Sequence, residues 1–195
     1  MHTLVHRRHR NLPGLFEGRS TRVYDVVARR FVRRFYRRIA EDIAATAPHG
    51  GALLDVGTGP GVLLAEIAER RPDLELAGID LSADMVTTAT RNLGTRATVR
   101  VADVTALPYP DRSFDLVVSS LSLHHWDHPE QAVPELARVL RPGGRLCIYD
   151  FPFAPFDALA GLGSAVPERT RFRTGVPLLP RCVRYVVAVS TDPGA

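Results

Sequence analysis

Two periods of apolar and polar residues share the chain. From about residue 21 to 46 the period is helical. At about 100° per residue, Phe31, Val32, Phe35, Tyr36, Ile39 and Ile43 fall in one arc, and Arg29, Arg30, Arg33, Arg34, Arg37 and Arg38 fall in the opposite one. Pro48-His49-Gly50-Gly51 stops this helix. Short apolar runs then alternate with amphipathic stretches. Ala52–Val56, Leu74–Ile79, Ala97–Val101, Phe114–Ser119 and Arg145–Tyr149 read as strands. Gly61–Arg70, Ser82–Asn92 (with Ser82 as its cap) and Glu130–Leu140 read as helices, and Pro142-Gly143-Gly144 as a turn. Repeated βα units with short connections predict a parallel sheet with helices on both faces. After Asp150 the pattern weakens to a short helix at Phe156–Leu162 and late strands at Arg171–Arg173 and Val183–Ser190. Residues 1–20 show no steady period. The expected organisation is an N-terminal helical arm, 1–47, ahead of an α/β core domain, 48–195.

Composition narrows the class. A length of 195 residues is one ordinary domain with an arm, and 45% hydrophobic with 24% charged residues is globular. No apolar run nears the roughly 18 residues of a membrane span, and no apolar segment follows the basic N-terminus as a secretory signal would. A cytoplasmic location is expected. Cys147 and Cys182 lack the spacing of a disulfide framework or a cysteine zinc site, and no metal is expected. The net charge of +4 comes from the first 50 residues, which hold 11 Arg against 4 acids; the remainder holds 14 Arg against 17. The arginine arc is either a solvated face or a contact for an anionic membrane surface. RNA is disfavoured, because no aromatic-rich binding sheet accompanies it.

The densest chemical signal is Leu53-Leu54-Asp55-Val56-Gly57-Thr58-Gly59-Pro60-Gly61, a strand entering a glycine turn and then a helix. Glycines there bend the backbone tightly and let a ligand approach it. A dinucleotide fingerprint would put its third glycine at residue 62, where Val62 stands, and an acid two residues before Gly57 disfavours a diphosphate. Asp80 ends the second strand, where a carboxylate can hold a ribose diol, and Asp103 ends the third. Three acids at the carboxyl ends of successive strands converge where open α/β sheets bind ligands.

These segments, with Leu107-Pro108-Tyr109, Ser113–Ser119 and Leu140-Arg141-Pro142-Gly143-Gly144, resemble in order and spacing the class I S-adenosylmethionine-dependent methyltransferases. The likeness is nearest to the subgroup of quinone C-methyltransferases and small-molecule methyltransferases, and covers about residues 20–150. It implies a Rossmann-like sheet of seven mostly parallel strands and S-adenosylmethionine as cofactor. By resemblance, Gly57, Thr58, Gly59 and Gly61 belong to the cofactor loop, and Asp55 lies near the methionine amino group. Asp80 takes the ribose hydroxyls, Leu81 packs on adenine, Asp103 and the Val104 N–H read its edge, and Ser119 flanks the methyl. Ser119-Ser120-Leu121-Ser122 replaces the Asn/Asp-Pro-Pro-Tyr/Phe motif of amino-methylating nucleic-acid enzymes, which argues against a nucleic-acid substrate.

The expected reaction is methyl transfer to a small organic acceptor, on oxygen or carbon, by in-line displacement. A non-catalytic cofactor-binding protein and a nicotinamide oxidoreductase are the alternatives. In Leu123-His124-His125-Trp126-Asp127-His128, His124 and His125 are candidate general bases, while adjacent histidines rarely chelate one ion. Tyr24, Trp126, Phe151 and Phe153, with the two histidines, are the expected acceptor lining. Their character favours a planar or lipophilic acceptor.

Overall fold

The computed structural model describes residues 21–163, 166–175 and 181–190, apart from the side chains of 21–32. The aperiodic segment 1–20 and the side chains of Tyr24, Arg29, Arg30, Phe31 and Val32 lie outside the described residues. Helix α1 (Thr21–Thr46) precedes β1 (Ala52–Val56), α2 (Val62–Arg70), β2 (Glu75–Asp80), α3 (Ala83–Leu93), β3 (Thr98–Val101) and β4 (Phe114–Ser120). Then come α4 (Pro129–Val139), β5 (Leu140–Asp150), β6 (Glu168–Phe172) and β7 (Cys182–Ala188). Short 3-10 turns occupy Gly94–Arg96, Leu123–His125 and Phe156–Leu162.

The strands form one sheet in the order β3-β2-β1-β4-β5-β7-β6. The first five run parallel, and β7 is antiparallel to both β5 and β6. The expected sheet of seven mostly parallel strands is the one the chain forms. β1 lies between β2 and β4 with all its residues buried, which explains why it is apolar but for Asp55. β5 starts earlier than the Pro-Gly-Gly turn suggests. Leu140 pairs with Phe114, and the ladder resumes with Arg145 opposite Leu116. Residues 141–144 thus stand against the single Asp115, three extra on one strand, with Gly143 at φ +78° absorbing the bulge.

Two apolar layers flank the sheet. On one side Phe35, Ile39 and Ile43 of α1 and Leu63, Leu64 and Ile67 of α2 pack on Leu53, Leu116, Val118 and Tyr149. On the other, Leu136 and Val139 of α4 and Phe156, Leu159 and Leu162 of the late 3-10 turn pack on Leu54, Val117 and Ile148. Each fully buried side chain of this size contributes about 1.5–3 kcal/mol. Helix α1 is also held by polar contacts. Asp42 Oδ2 accepts from Tyr149 Oη at 2.5 Å and from Arg184 Nε at 2.6 Å. Arg33, Arg37 and Arg70 converge on Glu66, which is buried. Part of the arginine arc therefore clasps α2. Among the described residues no helix is long and apolar enough to cross a membrane.

Candidate active site

The glycine turn after β1 is tied to the end of β2. The N–H groups of Gly57 and Thr58 both donate to Ile79 O at 2.9 Å, and Gly59 N donates to Asp80 Oδ2 at 2.8 Å. Asp80 Oδ1 accepts from Ser82 N at 2.9 Å. One carboxylate thus joins the turn to the start of α3, and with about four lone-pair sites it keeps capacity for a ligand. The cap of α3 is Ser82, whose Oγ accepts from Met85 N. Gly57 and Gly59 sit at φ +72° and +53°, the left-handed region that glycine enters without cost. Nothing lies within 4 Å of where a Gly59 Cβ would be, so its backbone is open to a ligand.

Beneath this turn lies Asp55, 1% exposed. Thr58 Oγ1 donates to its Oδ2 at 2.8 Å, while Oδ1 has no partner among the described residues. Burial pushes the carboxyl up to about 7, outweighing the Thr58 bond, and the Asp80 charge adds to the rise. Tyr36 of α1 faces the same spot. Burial and the Asp55 charge push its phenol up to about 12, with Ser120 beside its hydroxyl.

A cleft of about 650 Å³ opens along the carboxyl ends of β1, β2 and β3. Gly57, Thr58 and Gly59 form one wall, Asp80 and Leu81 the next, and Asp103 and Val104 the far end. Asp103 is exposed, with Oδ1 accepting from Thr105 N and Oγ1, both at 2.8 Å. Tyr36, Ser120, His125 and Trp126 close the other side. Trp126 Nε1 donates to Ser122 Oγ at 3.0 Å, and that hydroxyl would lie 2.0 Å from a Gly57 Cβ. Leu121 holds this corner at φ +52°, a strained value for a branched side chain.

Several expected site residues lie elsewhere. Ser119 is wholly buried and off the cleft wall; neighbouring strand residues point to opposite faces, and it is Ser120 that lines the cleft. Gly61 also misses the cleft. A Cβ there would meet Leu93 Cδ1 at 2.8 Å and Ala89 Cβ at 3.2 Å, so this glycine serves the packing of α3 on α2. His124, Phe151 and Phe153 stand next to the cleft rather than on its wall. The His124 ring centre is 3.9 Å from that of His125, 5.1 Å from Phe151 and 5.9 Å from Phe153. Tyr24's side chain is outside the described residues.

The sequence reading passed over two residues. Asp150, fully buried at the end of β5, meets His124 Nδ1 at 2.7 Å and accepts from the N–H of His124 at 3.2 Å and of Phe151 at 2.7 Å. Its signal was available, since it is another acid at the carboxyl end of a strand. Tyr36 was hidden because its place in the apolar arc accounted for it.

A glycine turn on β1, acids at the ends of the first three strands and an antiparallel β7 beside β5 give the chain the fold of the class I S-adenosylmethionine-dependent methyltransferases. Residues 54–148 match the family described as a methyltransferase domain. The demethylmenaquinone methyltransferase of Thermus thermophilus is 40% identical over 127 residues, covering 63% of this chain and 57% of that protein. The 27-O-demethylrifamycin SV methyltransferase of Amycolatopsis mediterranei is 38% identical over 141 residues, covering 69% and 50%. The chain spans about half the length of these curated relatives. Among solved structures, a putative S-adenosylmethionine-dependent methyltransferase from Methanococcus maripaludis matches with TM-score 0.71 over 93% of this chain and 100% of that one, at 20% identity, which is a likeness of fold. The [4+2]-cyclase SpnF matches with TM-score 0.58 at 26% identity, over 69% of this chain and 58% of that one.

Proposed function

We propose that the chain transfers a methyl group from S-adenosylmethionine to a small organic acceptor, on oxygen or carbon. The observation that carries this reading is the single cleft in which the open Gly59 backbone, Asp80 and Asp103 line up over the buried, half-satisfied Asp55. The residues present fit the cofactor. Asp55 Oδ1 lacks a partner that an ammonium group would supply, directly or through water. Asp80 retains lone pairs for a ribose diol, Leu81 offers an exposed apolar face for adenine, and Asp103 with Val104 would meet the adenine edge. When bound, the cofactor supplies a methyl group on a sulfonium, already activated for in-line displacement.

The chain's own task is then to position the acceptor, exclude water and manage a proton. Phe151 and Phe153 are stacked with ring centres 5.3 Å apart at 17°, and beside the tilted His124–His125 pair they offer aromatic surface for a planar acceptor. A phenolic or enolic acceptor must lose a proton as it is methylated. His124 would take it at Nε2, because Asp150 occupies Nδ1 and fixes the ring. The resulting imidazolium would be stabilised by that buried carboxylate. The names of the relatives support both acceptor atoms, one being a ubiquinone/menaquinone biosynthesis C-methyltransferase and the other a 27-O-demethylrifamycin SV methyltransferase.

The test is transfer of labelled methyl to a panel of phenols and hydroquinones. His124→Ala should lower turnover by about 10²–10⁴-fold with cofactor affinity unchanged. Asp150→Asn should lower it less and displace the pH–rate profile. Turnover unaffected by either change would remove the proton-acceptor role. A second reading, cofactor binding without methyl transfer, is favoured by the likeness to a cyclase. Tight cofactor binding with no transfer across the panel would support that reading.

A further inference from the structure

The crossover from β3 to β4, residues 102–113, contains no helix. Parallel strands are usually joined by one, and it covers the sheet face it crosses. Here Leu107 and Tyr109 cover that face in its place. The gap continues as a cavity of about 920 Å³ at the amino ends of the strands, where Ala52, Glu75, Thr98 and Phe114 begin β1 to β4. This is the opposite edge of the sheet from the cofactor cleft.

The cavity has an apolar body and a cationic rim. Tyr109 and Phe114 meet edge to face with ring centres 4.9 Å apart, and Leu74, Leu76 and Ala77 add aliphatic surface. The Tyr109 hydroxyl is buried without a partner among the described residues, which costs about 1–3 kcal/mol unless a ligand satisfies it. Four arginines line the cavity against one acid, Glu75. Arg71 is neutralised by Asp73, and Arg141 by Asp115. Arg96 bonds to the carbonyl oxygens of Leu93 and Asn92, and no carboxylate within 4.0 Å is recorded for Arg96 or Arg112 among the described residues. Arg112 is held at φ +54° by Arg112 N donating to Arg138 O and Arg141 Nε donating to Arg112 O. The fold thus maintains a strained backbone that sets an unpaired guanidinium beside an apolar pocket with an unmet hydroxyl.

We propose that this cavity binds a small organic acid with an aromatic or compact apolar body. The carboxylate pairs with Arg96 and Arg112, the body lies on Tyr109 and Phe114, and a polar substituent meets the Tyr109 hydroxyl. The site is separate from methyl transfer and does not depend on it.

Calorimetry and thermal shift of the full chain test this with benzoate, 4-hydroxybenzoate, the neutral benzamide and inorganic phosphate. The two carboxylates should bind and raise the melting temperature, 4-hydroxybenzoate more strongly, whereas benzamide and phosphate should not. Saturating S-adenosylhomocysteine should leave that binding intact. Arg112→Gly removes the guanidinium while relieving the positive φ, so it should fold at least as well and bind benzoate at least about 10-fold more weakly. Tyr109→Phe should abolish the preference for the hydroxylated probe. The proposal is overturned if neither carboxylate binds, if phosphate or benzamide binds as well as benzoate, if S-adenosylhomocysteine competes, or if Arg112→Gly binds undiminished.

Discussion

Asp80 uses one carboxylate for two ends of the same job. Its oxygens already hold Gly59 N and Ser82 N, so it shapes the turn that a ribose would then meet. Asp80→Ala should lower the melting temperature of the ligand-free chain and also weaken cofactor binding by roughly 30- to 700-fold, the equivalent of about 2–4 kcal/mol. Asp80→Asn, which keeps one acceptor oxygen, should be milder on both. Calorimetry and melting on one sample separate the effects, and undiminished affinity in a folded Asp80→Ala would rule out the ribose contact. Asp55 makes a different prediction. It titrates near 7 when folded and near 4 when unfolded. Between those values the folded chain keeps a proton the unfolded chain has lost, so stability is greatest at low pH within this window. It should fall as pH rises from about 4 to about 7, by at most about 4 kcal/mol. Urea midpoints at pH 5 and pH 8 should differ in the native sequence and converge in Asp55→Asn; equal midpoints in the native sequence would contradict the shift. Both acids were legible because strand ends are where an open sheet receives ligands. Asp150 carried the same strand-end signal, but its role depends on His124, which lies 26 positions away and meets it only in three dimensions.

At the level of elements, the segment 121–126 governs access to the glycine turn. Leu121 is strained, Ser122 rests against Gly57, and Trp126 is tethered to Ser122. Gly57→Ala would set a methyl group into the space of the Ser122 hydroxyl at a φ that alanine resists, costing about 1–3 kcal/mol. Because Trp126 is the protein's only tryptophan, its emission should change in this variant as the tether to Ser122 breaks. An unaltered spectrum with native stability would show that the corner yields freely. Strand and helix positions were readable from periodicity, often to within a residue, as with Ala52–Val56. The start of β5 was not. Pro142-Gly143-Gly144 is turn chemistry by any local rule, and only the pairing of Leu140 with Phe114 reveals a bulge inside a longer strand. Gly61 and Ser119 were misplaced for a related reason: motif position does not say which side of an element a residue faces.

At the scale of the whole molecule, the N-terminal surplus of arginine sits on a core of the opposite sign. Arg33 and Arg37 spend part of that surplus on Glu66, and we propose that the sequence's remaining surplus meets an anionic surface. Sedimentation should show retention by vesicles containing anionic lipid at low salt and release toward 0.15 M, where the screening length is about 8 Å. Neutral vesicles should retain nothing, and salt-independent retention would refute an electrostatic contact. The placement of β1 has a consequence of another kind. Among the described strands it is the most deeply enclosed and the first to be synthesised, yet one of its two neighbours is β4, and Ala52 N waits for Asp115 across 63 positions. At about 5–20 residues per second a ribosome needs roughly 3–13 s to cover that distance. For those seconds a strand that is apolar but for Asp55 has one bare edge, and the nascent chain must be shielded, by the ribosome exit or by a chaperone, until Leu116 arrives to close the sheet.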